Sequence, residues 1–175
     1  MARTSAQPHL IDEPDQGFTA RELRDAFGCF ATGVTIVTAA GETGPVGLTV
    51  NSFTSVSLDP PLLLFCVGLR TNCLPVLERA ERFSVNVLHA GQEALAARFA
   101  CRQTERFVEA GWTTGSLGQP ILSDAMAVFE CRRHAVHGGG DHRIFLGRVE
   151  ALRCDRRADP LLVFQSRYRS AHVPD

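Results

Sequence analysis

GLTVNSFTSVSLDPPLLLFCV, residues 47–67, sets two apolar runs on either side of a polar middle. Thr49, Asn51, Ser52, Thr54, Ser55 and Ser57 crowd that middle, and the Thr, Val and Phe around them suit a pleated, half-buried backbone. Asp59-Pro60-Pro61 then interrupts the ladder, because proline has no N–H to donate and fixes its own φ. PLLLFCV follows at once and reads as a buried strand. Short hydroxyl and amide side chains beside tight backbone offer several neutral hydrogen-bonding groups to one ligand. The same residues also suit the solvent face of a strand and its turn.

Working outward, Thr19-Ala20-Arg21-Glu22 fits a capping box that opens a helix ending near Cys29. Leu23, Ala26, Phe27 and Phe30 follow at helical spacing and are expected to pack into the core. Residues 33–38 alternate as a strand, 41–45 form a turn, and 46–50 form the hairpin partner. Residues 70–80 predict a short helix with Thr71 or Asn72 as its cap and Pro75 in its first turn. Residues 83–88 predict a strand, and 92–100 a helix turning Leu95, Ala96 and Phe99 inward. Residues 101–125, with the single Trp112, read as irregular. Residues 126–136 and 143–153 read as long strands joined through Gly138 to His142, and 161–165 as the last strand. Many short strands with few helices fit a closed or nearly closed antiparallel barrel whose ends the helices cover.

At 175 residues the chain is expected to be one domain that buries ~70% of its unfolded surface. Hydrophobic content of 45% and net charge of −1 describe an ordinary soluble globule. Residues 1–17 lack an apolar leader core and carry Pro8 and Pro14. They are expected to be a disordered arm before a domain over 18–170, with 171–175 as a tail and the cytoplasm as location. Without a basic run, nucleic acid is not an expected partner, and without an apolar run of ~20 residues, neither is a membrane. All 18 basic residues are arginine, which excludes Schiff-base and Walker A chemistry, since both need lysine. Six cysteines, none in a C-x-x-C pair, are expected to be buried free thiols. Cys131, His134 and His137 sit three apart, a spacing that scatters ligands over both faces of a strand, so no metal site is expected. G-x-S-x-G and G-x-G-x-x-G are both missing, which leaves a serine hydrolase and a Rossmann nucleotide site without support.

Three blocks in order resemble the flavin reductase family, the small reductase components of two-component flavin-dependent monooxygenases. They are ATGVTIVT at 31–38, the polar segment quoted above, and Gly139-Gly140-Asp141-His142. The resemblance runs from about Phe18 to Tyr168. It implies a mainly β protein with short helices, the FMN-binding split β-barrel, as a homodimer with flavin near the subunit interface. The implied activity is NAD(P)H:flavin oxidoreduction, NADH in preference to NADPH, that reduces FMN or FAD. The product would diffuse to a partner monooxygenase. A flavin-binding module without turnover, a carrier or sensor, is the alternative.

By the same resemblance Thr32, Gly33, Val34 and Thr35, with Thr49, Val50, Asn51 and Ser52, line the flavin ring and ribityl chain, and Ser55 lies close by. Cys66, Val67, Thr71 and Asn72 lie toward the phosphate, where a helix N-terminus would offer free N–H groups. The sequence departs from the commoner family pattern at residues 70–73, where small hydroxyl residues are frequent. Gly140, Asp141 and His142 form the second site. Read as residues alone, they are a hairpin connection. The resemblance puts His142 over the flavin, meeting the nicotinamide end of NADH.

Overall fold

The computed structural model describes residues 17–101, 105–155 and 159–171. The expected arm and tail, apart from Gly17 and Ala171, lie outside these residues.

Seven strands build the main sheet: β2 (Thr35–Gly41), β3 (Gly44–Val50), β4 (Thr54–Leu58), β5 (Pro61–Gly68), β6 (Arg82–Val87), β9 (Ala127–Gly139) and β10 (His142–Cys154). Their order is β3-β2-β6-β9-β10-β5-β4, each pair antiparallel. The edge strands β3 and β4 do not hydrogen-bond to each other, so of the closed or nearly closed barrel expected, full closure is not present and the split architecture holds. Mainly β with short helices it remains. The run that opened the sequence reading becomes a hairpin: Asp59 and Pro60 turn the chain, and Leu58 pairs with Pro61. β5 alternates, burying Leu63, Phe65 and Val67, where the sequence suggested burial throughout.

Inside the sheet, Phe65 stacks on Phe145 at 5.2 Å and meets the edge of Phe83 at 5.0 Å. A second core gathers Val34, Ile36, Leu88, Phe99, Leu122 and Leu161. Here α3 (Glu93–Ala100) presses Ala96 and Phe99 onto β3. Gly47 permits that approach, since a Cβ on it would lie 2.9 Å from the Phe99 ring. Two smaller sheets complete the fold. One pairs β1 (Thr32–Gly33) with β11 (Leu161–Phe164) and β12 (Arg167–Ser170). The other is a hairpin of β7 (Trp112–Thr114) and β8 (Pro120–Leu122), inside the stretch expected to be irregular. Its turn is held by the buried Glu130 carboxylate, which accepts from Ser116 N at 3.0 Å, Ser116 Oγ at 2.8 Å and Leu117 N at 2.8 Å. Strands of three residues are too short to show a period.

The expected capping box is present on α1 (Ala20–Phe27), with Thr19 and Glu22 bonded both ways. The expected packing is not. No α1 residue is buried, and Phe27 and Phe30 stand 68% and 77% exposed. An amphipathic stripe shows that a helix has an apolar face, not that the same chain covers it. α2 (Leu74–Arg79) also starts later than expected, after Cys73, which makes no side-chain cap. The Thr71 N–H donates to Gly68 O and the Leu74 N–H to Thr71 O, so a tight turn occupies the residues expected to cap. All six cysteines are free, yet only Cys73 and Cys131 are buried; Cys29, Cys101 and Cys154 are exposed, contrary to expectation. Among the described residues no helix is long and apolar enough to cross a membrane.

Candidate functional site

Four segments meet around a cavity of about 550 Å³: the end of β3 at Leu48 and Thr49, the loop Gly68 to Asn72, the end of α3 with Arg106 beyond it, and the hairpin tip at Asp141 and His142. That volume falls within the ~300–1,000 Å³ typical of small-molecule sites.

Backbone pairing fixes the tip. Gly140 takes φ +64° at the turn, a conformation that costs glycine little. His142 then pairs with Gly139 on one side and Gly68 on the other, so two strands set its position. The Leu69 N–H donates to Asp141 O at 2.9 Å and ties the loop to the tip. Asp141 Oδ1 lies 2.7 Å from His142 Nδ1. That hydrogen bond, then the charge of a protonated His142, holds the Asp141 carboxyl below its usual range, and the Arg70 charge adds to the effect. An ionised Asp141 places the ring proton on Nδ1 and leaves Nε2 to the cavity. A Cβ on residue 68 would lie 3.5 Å from Thr71 Oγ1 and 3.6 Å from His142 Nε2. Glycine there leaves the floor between those two polar atoms open.

Of the residues singled out in the sequence, the cavity gathers Thr49, Thr71, Asn72, Asp141 and His142. The Thr49 hydroxyl donates to Ala96 O at 2.7 Å, which anchors α3 and leaves only lone pairs for a ligand. Thr32 and Gly33 form β1, Val34 links it to β2, and Thr35 opens β2; none of the four lines the cavity. Val34, Thr35, Val50 and Val67 have buried side chains, and the Thr35 hydroxyl donates to Val50 O at 3.2 Å. Their backbone is engaged as well: the Val34 N–H donates to Leu161 O and its carbonyl accepts from Leu88 N, Thr35 pairs with Val50 and Val87, and Val67 pairs with Arg143. Ser52 Oγ accepts from Cys66 N at 2.9 Å, bracing the chain after β3 against β5. Asn51 and Ser55 are exposed, and Thr32 Oγ1 is buried without a partner. Gly140 sets the turn but does not line the cavity.

Arg70, Phe99, Ala100 and Arg106 also line the cavity, and sequence reasoning had not singled them out as ligand contacts. In a chain whose basic residues are all arginine, Arg70 and Arg106 are the side chains here that can meet an anionic group as permanent cations. Arg106 Nη1 donates to Gly47 O at 2.6 Å and Nη2 to Cys101 O. Among the described residues, no group of three or more His, Cys, Asp or Glu gathers as for a metal. A polar, partly cationic cavity of this size with an open glycine floor suits a flavin or nicotinamide nucleotide.

Comparison with known proteins points the same way. Residues 27–172 match the flavin reductase like domain family. The FMN reductase (NADH) SmoA of Agrobacterium fabrum is 45% identical over 146 residues, 83% of this chain and 82% of that protein. The reductase subunit HsaB of a flavin-dependent monooxygenase from Rhodococcus jostii is 40% identical over 148 residues, 85% of this chain and 76% of that one. Some relatives are longer; the chain spans 44% of the length of one that is 49% identical over 136 residues. Among solved structures, the Streptomyces globisporus NADH:FAD oxidoreductase SgcE6, in complex with NAD and FAD fragments, superposes with a TM-score of 0.84 at 41% identity. That match covers 95% of this chain and 98% of the other.

Proposed function

The chain belongs to the flavin reductase like domain family, and from that premise we propose that it is an NADH-dependent flavin oxidoreductase. It takes FMN or FAD as substrate, and its reduced product passes by diffusion to a monooxygenase. The observation that carries this reading is the hairpin-tip pair: Asp141 orients His142, whose Nε2 is left to a nucleotide-sized cavity. The names of the relatives SmoA, HsaB and SgcE6 agree with it.

Flavin, when bound, supplies the acceptor for a hydride from dihydronicotinamide, a transfer that needs the two rings held at the right distance. His142 orients the nicotinamide end through Nε2. Thr49, Thr71 and Asn72 give neutral hydrogen bonds. Asn51, exposed just past the end of β3, meets the ring atoms that gain charge on reduction. Such contacts are about half as strong as charge-assisted ones, which suits a site that must release its product. The exposed Phe27 and Phe30 form the face that a second copy covers in a homodimer, and the cytoplasm is the proposed location.

The test is NADH oxidation by the purified protein with and without free flavin. Oxidation that depends on added FMN or FAD is expected, and His142→Ala should raise KM for NADH more than KM for flavin. A protein that binds flavin and oxidises no NADH would replace the reductase with a carrier or sensor.

A further inference from the structure

Arg70 and Arg106 are the cations of the cavity wall, and neither makes an ion pair among the described residues. Arg106 is partly buried, its Nε is buried without a partner, its two Nη atoms donate to the neutral carbonyls of Gly47 and Cys101, and its guanidinium also lies against the buried Cys73 thiol. Those two bonds fix the guanidinium between β3 and the end of α3, while no carboxylate among the described residues pairs with its charge. A desolvated charge without a counter-charge is costly, and an anion nearby relieves that cost. The one carboxylate on the wall, Asp141, is already bonded to His142. Arg70 stands on the loop between that tip and Thr71, whose hydroxyl faces the open floor at Gly68.

We infer that Arg70 and Arg106 recognise a phosphoryl group of the bound nucleotide, with Arg106 as the charge held in place and Arg70 as the exposed one. The inference rests on the nucleotide-binding reading above and adds the residues that set its selectivity. Two sources carry this chemistry: the phosphate of the flavin and the pyrophosphate of the nicotinamide dinucleotide. The wall discriminates FMN from riboflavin in the first case, and NADH from dihydronicotinamide riboside in the second.

The experiment measures kcat/KM for those two substrate pairs with the wild type, Arg70→Gln, Arg106→Gln and Arg106→Lys. Loss of a charge-assisted phosphoryl contact should cut one of the two ratios by about tenfold in the Gln variants. Riboflavin, or the riboside, should lose less than its phosphorylated counterpart, and Arg106→Lys should recover part of the ratio. Loss on the FMN side assigns the flavin phosphate, and loss on the NADH side the pyrophosphate. A purely structural role for Arg106 would lower both members of each pair alike, and unchanged ratios in both Gln variants would overturn the inference. Arg70→Gln, on an exposed loop, keeps the test open should Arg106→Gln not fold. If the wild type oxidises no NADH, the reductase reading fails by itself. Equilibrium titration with FMN and riboflavin, and with NADH and the riboside, then reads the same two ratios as affinities.

Discussion

Gly47→Ala adds one methyl group where the fold has least room for it. The new Cβ would sit 2.9 Å and 3.1 Å from two atoms of the Phe99 ring and 3.1 Å from Val37 O. Phe99 is 1% exposed and its helix neighbour Ala96 is fully buried, so the only free volume beside the ring is the cavity it lines. Relief comes from α3 moving off β3 or from the ring turning into that cavity, and both disturb the packing. Overpacking of this kind costs about 1–3 kcal/mol. For a chain of this size each kcal/mol lowers Tm by roughly 2–4 °C, so a fall of about 2–12 °C is expected. Thermal unfolding followed by circular dichroism measures it. The companion variant Phe99→Leu shortens the obstructing side chain, so the double variant should lose less stability than the two single variants together. Phe99 also backs the cavity, and Gly47 O holds Arg106, so nucleotide affinity should fall with stability in the single variant and partly recover in the double. An unchanged Tm, or strict additivity, would refute the steric argument.

Asp141, whose carboxyl is held low chiefly by its bond to His142, should titrate below an ordinary aspartate. Its contribution is therefore complete above the usual carboxylate range and fades as pH falls through the lowered pKa. His142→Ala should return that pKa toward the usual value in an NMR titration, and an unmoved titration would place the cause elsewhere. Thiol labelling of the native protein should reach Cys29, Cys101 and Cys154 first, and Cys131 only on unfolding, because burial pushes its pKa to about 12. Labelling of Cys131 as fast as Cys29 would contradict the packing described.

What could be read from the sequence was local. Thr19 and Glu22 announced α1 because a capping box is closed within four residues of chain. Gly140 announced the hairpin because the φ it takes favours glycine. What α1 packs against could not be read, since its stripe states an apolar face and not a partner. The α2 cap was misplaced because Thr71 and Asn72 are good caps by type, and only the bonds from Thr71 to Gly68 and from Leu74 to Thr71 show a turn there instead. Arg106 was invisible as a site residue for another reason. It reaches Gly47 across 59 residues of chain, a pairing that no periodicity encodes.

The hairpin tip carries a consequence for how such proteins diversify. Pairing between β10 and β5 runs unbroken from His142 to Arg148, and the bulges in the β9–β10 ladder lie farther along, between Leu146 and Gly147 and between Val149 and Ala151. Register at the tip is therefore enforced by β5, independently of what happens at the far end of the hairpin. The turn between Gly139 and His142 can be exchanged like a cassette, lengthened or recharged, while Phe145 and the aromatic core keep their places. Substrate preference can drift by trading tips, with the sheet left as it is.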